Sequence, residues 1–206
     1  MHKAGKLPAV LLGVALMFGT GYNSDNLRAE SEEEGKISVP ISFISIRAEI
    51  IEYDDDEEDK DKIEYLGNFD NELKKSLAAL NKTYGYNSYR IVSSALLTVT
   101  NKEYSEYRLV SDSNCYAKSM VGKVTVWKDH EEKEHRKTLM AGLMIRRVKE
   151  KDEEGKEKTV DKKVGEYRFE RETGKYFLLV WLKFFKEKKG DELVTADLIF
   201  AVSPQR

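Results

Sequence analysis

The segment HEEKEH carries the residue types that most often bind zinc. It contains His130 and His135, which lie five positions apart. A metalloprotease of the H-E-x-x-H type instead places its histidines at i and i+4 on one helix face, with the catalytic glutamate between them. At about 100° per residue, a spacing of five turns the second imidazole away from the first. We therefore predict a solvated charged loop here and assign no metal ligand.

The acidic run EYDDDEEDKD, residues 52–61, is a second segment whose residue types suit a cation. An EF-hand loop needs a glycine at its sharp turn, and no register of this run supplies one. Residues 54–61 are therefore predicted to form a solvated acidic loop. Weak binding of divalent cations by this loop is the alternative interpretation.

Motifs for covalent catalysis and for phosphate binding are missing from the sequence. It contains neither G-x-S-x-G nor G-x-G-x-x-G, and Gly155 and Lys156 lack the preceding glycine of a phosphate-binding loop. A hydrolase that uses two distant carboxylates leaves no such signature, and it stays as an alternative. We predict a protein that is not an enzyme, with no catalytic residue and no cofactor.

Tyrosine and arginine concentrate in two consecutive segments that alternate as strands do. These residue types are over-represented in binding hot spots, because they combine contact area with directed polar groups. They form one candidate interaction surface or, in the alternative interpretation, alternate between the core and water across two adjacent strands. The candidate residues are Tyr86, Tyr89, Arg90, Tyr104, Tyr107 and Arg108.

Composition limits the partners of the chain. It has 35 Lys and Arg against 37 Asp and Glu, a net charge of −2, so it lacks the basic excess that favours nucleic acid. Cys115 is the single cysteine, which rules out a disulfide within the chain and leaves the fold to its apolar core. The predicted partner is another protein, and a homo-oligomer is the alternative.

The first residues are typical of a secretory signal peptide. Lys3 and Lys6 form a basic start, and residues 7–19 are apolar. That run is too short for a transmembrane helix, which needs about 20 apolar residues, but it fits the apolar region of a signal peptide. We predict a signal peptide over residues 1–29 and no membrane span after cleavage; an uncleaved anchor is the alternative. The protein is then exported, to the periplasm or another extracytoplasmic compartment.

The mature chain, residues 30–206, is predicted to be a single β-rich domain. Residues 70–84 begin with an aspartate that can cap a helix and carry three leucines on one stripe. Most other segments alternate with period two and are rich in Val, Ile, Tyr, Phe and Thr, as strands are. The predicted fold class is α+β, mainly β: an antiparallel sandwich or open barrel with one amphipathic helix packed on the sheet.

The first strand allows a more specific prediction. Its apolar parity changes near Phe43 and Ile44, which predicts a bulge or bend in this part of the strand. Pro40 cannot donate to a strand ladder, which predicts that this end lies at a sheet edge.

The C-terminal segments allow further predictions. Residues 177–185, FLLVWLKFF, are apolar on both parities, which predicts a central strand covered on both faces. This strand and residues 193–204 are predicted to form an antiparallel hairpin that turns at Gly190. The charged segments 128–137 and 149–163 are predicted to be mobile linkers.

A strand containing IRAEIIE, an acidic loop, the helix DNELKKSLAAL and the strand YNSYRIVSSALLTVT follow one another in the chain. This order resembles a set of small exported bacterial proteins of unknown function. The resemblance covers much of the mature chain but no catalytic residue, so it implies export and a β-rich fold without an activity or a site.

Together these features predict a non-enzymatic extracytoplasmic binding or assembly protein. It would be an accessory subunit that docks onto a larger envelope protein complex through a sheet edge or through the tyrosine and arginine strands. A small-ligand or divalent-cation binding module is the first alternative, and a hydrolase with a carboxylate pair is the second.

Overall fold

The computed structural model describes residues 37–51, 62–111, 113–189 and 192–206. Within these residues the chain forms one helix and nine strands. In chain order they are β1 (Ser38–Glu49), β2 (Glu64–Leu66), α1 (Asn71–Tyr84), β3 (Ser88–Thr100), β4 (Tyr104–Arg108), β5 (Cys115–Lys128), β6 (Glu134–Lys151), β7 (Glu157–Glu172), β8 (Phe177–Lys189) and β9 (Glu192–Pro204).

The strands form two packed sheets. The five-stranded sheet has the order β2-β3-β1-β9-β8, and the four-stranded sheet has the order β4-β5-β6-β7. Their strand pairs are antiparallel except for β2, which runs parallel to β3. The predicted fold class is confirmed: the described chain is α+β, mainly β, a sandwich with one helix whose sheets do not close into a barrel.

Two apolar clusters divide the fold into three layers. Ile41, Phe43 and Phe200 belong to the cluster between the two sheets. On the opposite face of the five-stranded sheet, α1 buries Leu73 and Leu77 in a second cluster. The five-stranded sheet is therefore covered on both faces, which explains why its inner strands are apolar on both parities.

β1 shows how these layers produce the sequence pattern. Ile41 and Phe43 face the four-stranded sheet, whereas Ile44 and Ile46 face the helix side. The bulge predicted in β1 near Phe43 and Ile44 is absent, because the pairing of β1 is regular there. The register of β1 with β3 shifts between Ser45 and Ile46, and the extra residue, Val92, belongs to β3. The parity change arises because each half of β1 contributes mainly to a different layer.

Pro40 does not mark a sheet edge, contrary to the prediction, because β1 lies between β3 and β9. The ladder of β1 with β9 begins at Ile41, opposite Pro204. Pro40 lies one residue before that ladder, and its carbonyl accepts a hydrogen bond from the Gln205 backbone N–H at 2.8 Å. The N–H that proline lacks is therefore not needed for the β9 ladder.

β8 lies at the edge of the five-stranded sheet, so its predicted central position is wrong. Both of its faces are nevertheless covered: Phe177 and Leu179 pack on the cluster between the sheets, and Leu178 and Val180 pack on the helix-side cluster. Apolar residues at both odd and even positions thus indicate that both faces of a strand are covered. They do not indicate whether the strand lies in the middle or at the edge of its sheet. The predicted antiparallel pairing with β9 is confirmed, and the predicted turn at Gly190 lies outside the described residues.

Helix α1 has the capping residues that the sequence predicts. The Asp70 carboxylate accepts a hydrogen bond from the Leu73 backbone N–H at 2.7 Å, which satisfies a donor of the first turn. Gly85 ends the helix in the left-handed conformation, with a φ of 76°. Leu73, Leu77 and Leu80 are buried, so the predicted leucine stripe is confirmed.

The two charged segments predicted to be mobile linkers are β-hairpins instead. Their ladders join β5 to β6 and β6 to β7 and continue up to the turns. The turns read DHEEK and DEEGK, and in each the Oδ1 atom of the first aspartate, Asp129 or Asp152, accepts hydrogen bonds from two backbone N–H groups of the turn at 2.8 to 3.0 Å. Such aspartates favour a tight turn over a long loop.

Replacing Glu132 with glycine is expected to stabilise the protein by about 1 kcal/mol, because a left-handed backbone is costly for a residue with a Cβ atom. Glu132 has a φ of 60°, and Gly155 occupies the equivalent position of the second turn with a φ of 78°. Chemical unfolding of the wild type and Glu132→Gly measures the change. The matched control, Gly155→Glu, should lose a similar amount, and a less stable Glu132→Gly would contradict the assignment of strain.

Candidate functional site

Three tyrosines of the predicted interaction surface are buried. Tyr86 and Tyr89 belong to the helix-side cluster, and the Tyr89 hydroxyl donates to the Leu77 carbonyl at 3.1 Å. Tyr107 lies between the sheets and stacks on Phe43 with 5.6 Å between ring centroids. These rings contribute to the core and present no area to a partner.

The other three residues of that predicted surface are exposed, but they lie on different sheets. Arg90 is on β3 of the five-stranded sheet, while Tyr104 and Arg108 are on β4 of the four-stranded sheet. The structure therefore does not bring the six predicted residues together on one surface.

The most irregular part of the described sheets is a bulge in β8. Trp181 pairs with Leu198 and Phe185 with Ala196, so three residues of β8 lie opposite the single residue Asp197 of β9. Bulges of this kind redirect side chains and interrupt pairing along an edge. The three residues opposite Asp197 are Leu182, Lys183 and Phe184, two more than a regular ladder would place there.

Asp197 holds this bulge through both of its carboxylate oxygens. Its Oδ1 atom accepts a hydrogen bond from the Lys183 backbone N–H at 2.6 Å, and its Oδ2 atom accepts one from the Tyr86 hydroxyl. Lys183 is left-handed, with a φ of 52°, a conformation that needs support from its surroundings in a residue other than glycine. Burial is the main cause, and the hydrogen bond to Asp197 the second, of a Tyr86 pKa far above its usual value. The phenol therefore keeps its proton and remains a donor.

Aromatic rings and two arginines surround the bulge. Trp181 packs on Phe184 and Phe184 on Phe185, with centroids 5.0 and 5.1 Å apart. The guanidinium of Arg146 lies over the Trp181 ring at 5.7 Å, and that of Arg47 lies over the Phe185 ring at 5.3 Å. Both distances lie within the range of cation–π attraction.

Arg47 is also fixed by two carboxylates. It donates to Glu49 at 2.9 Å and to Glu187, and the hydrogen bond to Glu187 is the main reason that the pKa of Arg47 is raised. The aromatic cluster is therefore held from the side of β1 as well as from β9.

The bulge also exposes an apolar side chain, that of Leu182, which follows Trp181 in the chain. Leu182 is 47% exposed, and Lys183 and Arg146 are exposed as well. We call Trp181, Leu182, Lys183, Phe184 and Arg146 the bulge surface. Aromatic and arginine side chains held in place by their neighbours are the typical composition of a protein-binding hot spot.

The sequence contained one signal for the bulge surface. In FLLVWLKFF a lysine, Lys183, interrupts an otherwise apolar run. A charged residue inside a strand whose two faces are covered indicates that the chain leaves the ladder there. Asp197 lies on the next strand, 14 residues after Lys183, but 111 residues after Tyr86, so its link to Tyr86 could be recognised only from the structure.

The histidine segment lies in the turn between β5 and β6 and in the first residues of β6. The His135 ring bonds to Asp129 at 2.7 Å and stacks on Trp127, and the bond from His135 lowers the pKa of Asp129. Within the described ranges, no group of three or more His, Cys, Asp or Glu residues is placed to hold a metal ion. The acidic residues 54–61 lie outside those ranges.

The geometry defines an α+β sandwich with an aromatic and cationic surface at the edge of its covered sheet. No protein-family model, curated protein or solved structure matches the chain. Among the residues that the structure describes, α1 is too short and too polar to cross a bilayer.

Proposed function

We propose that this chain is a non-enzymatic, exported binding or assembly protein that docks a protein partner on the bulge surface. In this role it serves as an accessory subunit of a larger envelope complex. The observation that carries the proposal is the exposure of Leu182 in the β8 bulge. Its neighbours in the bulge, Trp181 and Phe184, pack on each other, and Arg146 lies over the Trp181 ring. Export rests on the signal-peptide pattern of residues 1–29, and N-terminal sequencing of the protein recovered from the envelope tests it.

The chemistry of the bulge surface selects the mode of docking. An edge strand can bind a partner by adding a strand to the sheet, but bulges and lysines on an edge oppose such pairing. β8 carries a bulge in which three residues lie opposite one, as well as exposed Lys183 and Lys186. The partner therefore contacts side chains of the bulge surface rather than extending the sheet.

The charge of the bulge surface selects the kind of partner. Lys183, Lys186 and Arg146 are exposed cations, whereas Glu187 is occupied by Arg47. A second copy of the chain would place like charges against one another, which disfavours a symmetric dimer at this surface. The matching partner is a protein with an apolar pocket for Leu182 and an acidic rim.

Leu182→Asp is expected to abolish docking without unfolding the protein. A photo-crosslinking residue at position 186, in cells that make the protein, should capture one discrete protein species. Leu182→Asp should remove that product, because it puts a negative charge into an apolar pocket with an acidic rim. As both leucines are exposed, Leu182→Asp and the control Leu96→Asp should each change stability by no more than about 0.5 kcal/mol.

The control Leu96→Asp changes a leucine that is 65% exposed on β3, away from β8. Capture that persists in Leu96→Asp and is lost in Leu182→Asp supports the proposal. Equal capture in both variants, or a protein that elutes only as a monomer with no crosslinked product, would overturn it.

A further inference from the structure

The four-stranded sheet carries a polar groove on the face turned away from the five-stranded sheet. Tyr107 of β4 and Ala117 of β5 lie in the cluster between the sheets. Strand alternation places Arg108 and Tyr116 on the opposite face, and the two are paired across β4 and β5. The groove has a volume of about 240 Å³, and its polar side chains are those of Glu106, Arg108, Ser113, Asn114, Tyr116 and Arg147.

The groove has an aromatic floor with cations around it. The guanidinium of Arg147 lies 5.0 Å from the centre of the Tyr116 ring, and the Lys118 ammonium lies 5.8 Å from it. Tyr116 is buried beneath these groups. Arg108 stands beside the same ring as its cross-strand neighbour.

Two of the three cations are already neutralised by carboxylates. Arg147 donates to Asp161 through Nε at 2.8 Å and through Nη2 at 3.3 Å, and Lys118 pairs with Glu106 at 2.9 Å. Hydrogen bonds from Arg147 and then from Tyr116 lower the pKa of Asp161 to about 2, so this pair stays ionised in neutral solution. The charges of the two pairs largely cancel at the groove.

Arg108 is the cation that remains. It is exposed, and among the described residues it has neither an ion-pair nor a hydrogen-bond partner. Its guanidinium offers several N–H donors in a planar fork, which matches the oxygens of a carboxylate or phosphate. A metal cation would instead have to compete with Lys118 and Arg147 for the carboxylates that they hold.

We propose that this groove binds a small organic oxyanion, with Arg108 as its principal ligand and Tyr116 as its floor. Arg147, oriented by Asp161, presents a second guanidinium at the opposite side of the groove. The volume is smaller than the roughly 300–1,000 Å³ typical of pockets for drug-sized ligands, so the ligand is the size of a short dicarboxylate. This site lies on the other sheet from the bulge surface and does not depend on docking there.

Titration of the full chain with succinate, acetate and phosphate, followed by NMR of the backbone amides, tests the proposal. The shifts should concentrate at Arg108, Tyr116 and Arg147, with succinate bound most tightly if the site recognises carboxylates and phosphate if it recognises phosphoryl groups. Arg108→Ala should raise the Kd by about tenfold or more, as expected for a charge-assisted hydrogen bond. Asp161→Asn should lower the Kd, because it removes a negative charge and releases Arg147.

The matched control is Arg90→Ala, which removes another exposed arginine from the five-stranded sheet. A Kd unchanged in Arg90→Ala and raised in Arg108→Ala supports the site. Equal Kd values in the two variants, or shifts that sodium chloride reproduces at the same ionic strength, would show an adventitious ion only and overturn the proposal. Capture at the bulge surface would be unaffected by either result, so the two proposals fail separately.

Discussion

Replacing Gly142 with alanine is expected to destabilise the protein by about 3 kcal/mol. Gly142 lies in β6 opposite Tyr167 of β7, whose ring lies across the glycine and whose hydroxyl bonds to Ser119. A Cβ atom at position 142 would lie 2.6 Å from the Lys118 carbonyl oxygen and closer still to the Tyr167 ring. The ring would have to move, and two buried hydroxyl groups would lose their hydrogen bond.

Chemical unfolding of Gly142→Ala measures this loss, and Gly122→Ala of β5 is its matched control. A Cβ atom at Gly122 would lie 3.2 Å from the Leu139 side chain, which can give way, so that variant should change stability much less. Shortening the ring in Gly142→Ala/Tyr167→Val should cost less than the sum of the two single changes, because the clash is shared. A Gly142→Ala variant within about 0.5 kcal/mol of the wild type would contradict the close approach.

Local features of this fold could be predicted because their causes are local. The helix is capped by Asp70 and Gly85, and each cap contacts only residues of the adjacent turn. A short stretch of sequence is therefore enough to predict where the helix begins and ends. The pairing of β8 with β9 is equally local, since the two strands follow one another. The fold class follows from the same signals, repeated along the chain.

The order of strands and layers could not be predicted from the same signals. Apolar parity reports whether a face of a strand is covered, but not whether another strand lies beside it. β1 and β8 therefore show similar patterns, although one is central and the other is at an edge. The hairpin turns at Asp129 and Asp152 were missed for a different reason: composition reports their charge, whereas a few specific hydrogen bonds decide their shape.

The tyrosines show the same limit at the candidate site. Tyr86 and Tyr107 have the residue type of a binding surface, yet packing with α1 buries Tyr86 and packing against the five-stranded sheet buries Tyr107. The residues that cover Tyr107, Phe43 and Phe200, are distant from it in the chain. Burial gives Tyr86 an indirect role, because its hydroxyl holds Asp197 and thereby the bulge surface.

Asp197→Ala is expected to destabilise the protein by about 2–3 kcal/mol, because it leaves the buried Tyr86 hydroxyl without an acceptor. Tyr86 is only 3% exposed, so water cannot easily replace the carboxylate. The Lys183 backbone N–H loses its partner as well, and the left-handed residue has less support. The bulge should then relax, and capture of a partner from position 186 should fall together with stability.

A double-mutant cycle with Tyr86→Phe separates the hydrogen bond from the rest of this effect. Tyr86→Phe removes the donor and keeps most of the ring, so Asp197→Ala should cost about 1 kcal/mol less in that background than in the wild type. Thr195→Ala, on β9 at an exposed position, is the control and should change neither stability nor capture appreciably. Additive losses in the cycle would show that Asp197 and Tyr86 are not coupled, and unchanged capture in Asp197→Ala would show that the bulge keeps its shape without the carboxylate. Coupling together with lost capture would mean that a buried phenol and a single carboxylate determine the geometry of an exposed docking surface.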